Sequence, residues 1–148
     1  MRTLALDVGT KTIGVAVSDE LGIVANGVTT ITRKDLKRDL KLMGEIIEEY
    51  HPSEILVGIP YNTDGTLSER GKNILKFANA IRRTFLLPVQ LWDESYSTVD
   101  AEEVLLVANL SRKKRKKVID KMAAVLILQD YLKNKENIKP RTDTNEYE

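Results

Sequence analysis

The chain of 148 residues contains no cysteine. Disulfides, thiolate metal sites and cysteine nucleophiles are thereby excluded. It has one histidine, His51, which precedes Pro52. Proline disfavours helical geometry in its predecessor, so His51 reads as a solvated residue at a helix end. A serine-protease-like relay or a histidine metal site would rest on His51 alone, and both are set aside. No apolar run approaches the roughly 20 residues that a membrane-spanning helix needs. The opening residues read as strand and lack the layout of a signal peptide, so the expected location is the cytoplasm, with no membrane partner. Aromatic residues make up only 5 %. Base stacking is then a poor basis for nucleic-acid recognition, and backbone or shape recognition is the better expectation. Net charge is only +1, so the molecule as a whole is not a basic polyanion binder.

Charge is instead concentrated locally. Arg112, Lys113, Lys114, Arg115, Lys116 and Lys117 are consecutive, while Asp143, Glu146 and Glu148 fall in the last eight residues. Each cation placed on a phosphate releases a counterion, so the basic run points to nucleic acid. A helix would spread these residues around all its faces and a loop would hold them together. The run is therefore expected in a loop, and its alternative reading is a solvated linker.

Hydrophobic residues at 42 % and charged residues at 30 % give an ordinary soluble balance, and the length suits one domain with a sizeable core. Residues 2–8, 13–19 and 23–32 read as three strands joined by short turns, an antiparallel meander. Leu36, Leu40, Met43, Ile46 and Ile47 carry helical spacing over 34–50. Residues 53–60 form a short apolar run of the buried parallel-strand kind. Helical spacing returns over 67–86, and 88–93 is a fifth strand. A helix over 98–109 has Ser97 or Thr98 as its cap, and a last helix covers about 118–132. The expectation is an α/β fold, a mixed sheet with helices on its faces. A single domain spans 1–134, and 135–148 trail as a disordered polar tail.

Three acidic positions stand out. Asp7 ends the first strand, Asp93-Glu94 ends the fifth, and Asp120 opens the last helix. If strand one is central with strand four as its parallel neighbour and strand five beyond, the carboxyl ends of one, four and five share an edge, where open sheets bind ligands. Alternation lets only one of Asp93 and Glu94 point to a given face. Glu94 is favoured for its reach. Ala123 and Ala124 lie three and four residues after Asp120, on the same helical face, and let that helix come close to the sheet. Carboxylates gathered this way repel one another unless a cation neutralises them. An all-oxygen set selects Mg2+ or Mn2+, and metal ions about 4 Å apart serve phosphodiester cleavage. Taken singly, each acid reads more readily as an independent cap or surface residue; the strand-end placement of two, with the Ala-Ala pair beneath the third, favours a site. Asp93 and Asp19 remain open as helpers of the metal site.

Asp7-Val8-Gly9-Thr10 also fits a phosphate-cradling strand-turn of actin-like ATPases. That reading is demoted because no second glycine-rich stretch is present. Substrate contacts are expected from Lys11, from Asn62 in the loop after strand four, and from Arg70 at the front of the following helix, together with the basic run. For Asn62 the plainer reading is a turn, with Asp64-Gly65 supplying a helix cap.

Four segments in order resemble the YqgF family, also called RuvX, of the ribonuclease H-like superfamily. They are 6–19 (Leu6-Asp7-Val8-Gly9-Thr10-Lys11-Thr12 through Asp19), 57–65, 93–98 with Ala101, and 120–129. The resemblance implies a ribonuclease H-like mixed five-stranded sheet of order 3-2-1-4-5 with strand two antiparallel. It also implies a metal-dependent nuclease whose acids correspond to Asp7, Glu94 and Asp120. The family usually has Arg where this chain has Ser95, and Lys-Arg where it has Lys11-Thr12. Two substrates follow from the resemblance: a structured RNA precursor trimmed at the 5′ end of pre-16S rRNA, placed first, or the branched DNA of a Holliday junction. A resolvase wants a stable two-fold dimer. No exposed apolar stripe demands one, so a monomer or weak homodimer is expected. A nucleic-acid-binding scaffold without catalysis is the remaining alternative.

Overall fold

The computed structural model describes residues 1–93 and 112–137. Five strands, β1 (Thr3–Val8), β2 (Thr12–Ser18), β3 (Ala25–Thr32), β4 (Glu54–Ile59) and β5 (Val89–Asp93), form one sheet of order β3-β2-β1-β4-β5. β2 is antiparallel to both β1 and β3, whereas β4 runs parallel to β1 and β5 parallel to β4. The parallel pairs leave the carboxyl ends of β1, β4 and β5 on one edge, as expected from the resemblance. The helices are α1 (Leu36–Tyr50), α2 (Glu69–Phe85) and α3 (Arg112–Asn137). The expected helix over 98–109 and its caps Ser97 and Thr98 lie outside the described residues.

Strand alternation divides the core into two layers. Leu4, Leu6 and Val8 of β1, with Ile13, Val15 and Val17 of β2, pack under α1 and α2 alongside Met43, Ile74, Phe77 and Ile81. Ala5 and Ala16 face the other way and meet Ala124, Ile127 and Leu128 of α3. Burying each large aliphatic side chain contributes about 1.5–3 kcal/mol, so the first layer holds the sheet and its two helices together. The second layer is built from small residues on the sheet, which brings α3 close. Tertiary bonds tie down its far half: Trp92 Nε1 donates to Asp130 at 2.7 Å, the Tyr131 hydroxyl donates to Glu54 at 2.9 Å, and Lys135 Nζ pairs with Glu54 at 3.1 Å.

Helix ends follow local chemistry. Asp35 caps α1 by accepting from Arg38 N at 2.9 Å, and α1 stops at His51, whose φ of 49° leaves helical space before Pro52. Ser68 caps α2 by accepting from Gly71 N at 3.1 Å. This corrects the expected cap at Asp64-Gly65. Asp64 instead closes its own turn onto Thr66, with Gly65 at φ 86°.

The last helix departs most from expectation. It begins at Arg112 and runs to Asn137, not from 118 to 132. The basic run is its N-terminal stretch, not a loop, and Asp120 sits about two turns inside it. The apolar stripe beyond Val118 marks where the helix docks, whereas the backbone stays helical on either side of the docked part. The helix also passes Lys135, into the stretch expected as tail. Residues 138–148 lie outside the described residues. Among the described residues no helix is long and apolar enough to cross a membrane.

Candidate active site

Asp7 is the last but one residue of β1, half-buried, and its cross-strand partner on β2 is Gly14. Ala5 and Ala16 face α3, so the period of two puts Asp7 and Gly14 on that face as well. Gly14 is where the helix touches the sheet. A Cβ there would fall 1.9 Å from the Asp120 carbonyl oxygen and 2.5 Å from its carbon. The backbone of Asp120 therefore lies directly over the neighbour of Asp7, and only a residue without a side chain admits it. Ala123 and Ala124, both fully buried, continue the close approach.

The Asp120 side chain is oriented from the strand. Thr12 opens β2, and its hydroxyl hydrogen-bonds one carboxylate oxygen, Oδ2, of Asp120. Thr12 occupies the position where the resemblance expects arginine. A hydroxyl there holds the carboxylate by a short neutral arm, where an arginine would bring a second charge. Next along α3, the Lys121 stem lies across Gly27 of β3, within 2.9–3.3 Å of where a Cβ would be. Glycines on two adjacent strands thus form the seat for one helical turn.

The turn between β1 and β2 is braced from the opposite face. Arg33 Nη1 donates to the Gly9 carbonyl at 2.8 Å, and Arg33 Nε donates to Asp39 at 3.3 Å. Asp39 is 1 % exposed and also accepts from Lys34 N at 3.1 Å. The Arg33 guanidinium lies 5.0 Å from the centre of the Phe77 ring, a cation–π contact. A buried carboxylate without such partners would be strongly destabilising.

The other sequence-derived positions separate. Glu94 lies outside the described residues. Asp93 is exposed and pairs with Ile59. Val89 and Leu91 pack in the α1–α2 layer, so alternation puts Asp93 on that side, away from Asp120. Asp19 follows the far end of β2, away from Thr12. Its carboxylate accepts from Ile23 N at 2.7 Å and Val24 N at 3.1 Å, and these backbone bonds hold its pKa below the usual carboxylate value. It closes the β2–β3 turn and does not reach Asp7. Lys11 is exposed on the β1–β2 turn. Asn62 is exposed, with its amide group donating to Thr66 at 3.0 Å, so it shapes its own loop. Arg70 is exposed on the first turn of α2. Arg112, Lys113, Lys114, Arg115, Lys116 and Lys117 occupy the start of α3. Among the described residues no three acids or histidines group as a metal cage; Asp7 and Asp120 are the two brought into one corner.

The RuvX family profile, described as a Holliday junction resolvase, matches residues 1–134. The chain belongs to the RuvX family. A protein of Geobacillus kaustophilus named "Putative pre-16S rRNA nuclease" is 55 % identical over 137 residues, covering 91 % of this chain and 99 % of its own. One of the same name from Thermoanaerobacter pseudethanolicus is 49 % identical over 138 residues, covering 93 % and 99 %. Among solved structures, Thermus thermophilus RuvC in complex with a Holliday junction superposes with TM-score 0.62 at 16 % identity, covering 92 % of this chain and 96 % of that one. The fowlpox virus Holliday junction resolvase gives 0.56 at 12 %, covering 90 % and 99 %. At such identities these two matches speak for the ribonuclease H-like fold alone. The family and its curated relatives are named as nucleases, which makes this chain a hydrolase of phosphodiester bonds.

Gly14, Arg33 and Asp39 were not singled out from the sequence, and Thr12 stood out only as a departure from the family pattern. Gly14 carried a signal: a glycine inside a β-branched strand marks close backbone approach. Arg33 and Asp39 carried none, since charged residues at a helix start read as solvated until the fold buries one of them.

Proposed function

We propose that this chain is a divalent-metal-dependent nuclease that trims the 5′ end of pre-16S rRNA in the cytoplasm during ribosome biogenesis, acting as a monomer or weak homodimer. The single observation that supports the site is the close approach at Gly14, the cross-strand partner of the strand-end Asp7, over which the backbone of Asp120 lies. Residues 1–134 would form the nuclease domain, the stretch that the family profile matches. Asp7, Asp120 and Glu94 would hold the metal.

The corner fits a hard cation. Its donors are all oxygen, and Thr12 holds one Asp120 oxygen in place. Bound there, Mg2+ or Mn2+ would supply Lewis-acid stabilisation of the charge developing on the phosphoryl group. The protein's part is to fix the carboxylates: Gly14 sets the depth of α3, Thr12 sets the Asp120 rotamer, and Arg33 braces the turn beyond Asp7. The basic start of α3 and Lys11, Asn62 and Arg70 would engage the phosphates of the substrate strand.

The test compares wild type with Asp7→Asn, Glu94→Gln and Asp120→Asn on a precursor rRNA and on a four-way DNA junction, each with and without EDTA. Loss of metal-dependent cleavage in all three variants, with unchanged melting, is expected. Full activity in all three removes the site. Cleavage of the junction in preference to the RNA selects the resolvase reading, which the family's description favours. Salt-sensitive binding without cleavage of either selects a scaffold. In EDTA, Asp7→Asn should melt no lower than wild type, because it removes carboxylate repulsion, and added Mn2+ should stabilise it less.

A further inference from the structure

A second surface lies on the opposite side of β1 from the acidic corner. Residues of β1, the β1–β2 turn, the start of α1 and the first half of α2 line a cleft of about 430 Å3. Val8, Ile74 and Phe77 make its floor, and Gly9 and Thr10 form the lip that it shares with the acidic corner. Arg33, Lys34, Arg70 and Lys76 stand around it with Asp35 and Asp39. Four cations against two carboxylates leave an excess of two positive charges. Both carboxylates are already engaged: Asp39 by Arg33 and Lys34 N, Asp35 by the α1 cap. Arg33 is engaged by Asp39 and the Gly9 carbonyl, and Lys34 and Lys76 stand exposed at the rim.

We propose that this cleft is a second substrate subsite, which grips a phosphodiester of the cleaved strand a few nucleotides from the cut. The inference rests on the nuclease reading and extends it to residues outside the acidic corner. Neighbouring residues of one strand, Asp7 and Val8, point to opposite faces of the sheet. A strand whose scissile phosphate lies at Asp7 and Asp120 must then cross the Gly9-Thr10 lip to continue. Layers packed on a sheet lie about 10 Å apart, so the strand spans the lip within a few nucleotides. The cleft is open and cationic at its rim, as a solvated phosphate backbone requires. Its floor side chains are buried in the core, so it offers charge and shape without an aromatic face for stacking. Arg33 ties the two surfaces together, since the group that braces the lip also forms the cleft wall.

The experiment measures equilibrium binding of a fluorescent single-stranded RNA of about twelve nucleotides against salt, for wild type and for Lys34→Gln/Lys76→Gln. Neither residue belongs to the acidic corner. Each phosphate contact contributes about 0.7 to the salt slope for a single strand. The double variant should therefore lose about 1.4 from the magnitude of that slope, with unchanged melting. Its KM for a long substrate should rise at unchanged kcat, while a substrate ending at the lip is cut as by wild type. An unchanged salt slope overturns the proposal. So does a labelled mononucleotide that binds wild type as tightly as the RNA and is lost in the variant, which would make the cleft a nucleotide site. Failure of wild type to cut any strand counts against the nuclease reading. The binding slope then still decides the cleft.

Discussion

Gly14→Ala is the sharpest perturbation that the architecture allows. The new Cβ would lie 1.9 Å from the Asp120 carbonyl oxygen, against 3.4 Å or more for ordinary contact. The shortfall is about 1.5 Å, and no rotamer relieves it, because helix backbone lies on one side and the paired strand β2 on the other. The helix must lift. Overpacking of this kind costs about 1–3 kcal/mol, and the stiffer alanine backbone offsets some tenths of that through the unfolded chain. A net loss of about 2 kcal/mol lowers Tm by about 6 °C for a domain of this size. Activity should suffer more. A displacement of about 1 Å at a reacting centre costs on the order of 100-fold in rate, and the lift also breaks the Thr12–Asp120 bond. Gly27→Ala is the control. Its Cβ meets the Lys121 side chain at 2.9 Å, and that chain can swing aside, so Tm should move by no more than about 2 °C. Thermal melting and metal-dependent cleavage are measured on both. Wild-type melting and wild-type rate in Gly14→Ala would refute the claim that this glycine sets the depth of the helix.

Other consequences follow from the same contacts. Thr12→Val removes the hydroxyl that holds Asp120 and keeps the side-chain shape. Half-saturating Mn2+ should rise about tenfold, in line with about 1.5 kcal/mol for a hydrogen bond to a charged group, and Thr12→Ser should restore it; equal metal titrations of wild type and Thr12→Val would refute this. Arg33→Met strands the buried Asp39 carboxylate and should destabilise the fold by about 3 kcal/mol in urea unfolding, more than Asp39→Asn, which leaves no charge behind. Asp19 has its folded pKa depressed by the Ile23 and Val24 amides. Its contribution is therefore complete above the unfolded value near 3.8 and is lost as pH falls through the lower folded value. Asp19→Asn should flatten stability against pH below about 4, and an NMR titration of the Asp19 carboxylate should show a midpoint below 3.8.

Much of the fold was legible because it follows from local rules. Alternation and β-branched residues marked the first strands, a short apolar run marked β4, and helical spacing marked α1 and α2 to within about two residues. The start of α3 was misread because the basic residues gave no apolar signal. Helicity there is a matter of backbone continuity with a docked segment, to which the charge pattern is blind.

What the sequence by itself determined is the chemistry available: oxygen ligands without thiol or usable imidazole, a basic run before Asp120, and acids at the ends of strands one and five. Those are facts of residue type and order. Only the tertiary structure decided which acids share a surface. Alternation across β1 and β2 and the absence of a side chain at Gly14 put Asp7 and Asp120 in one corner. The far end of β2 took Asp19 away, and the opposite face of β5 took Asp93. It also made Arg33 and Asp39 partners, since a carboxylate acquires its strongest need for a cation only once folding has removed its water.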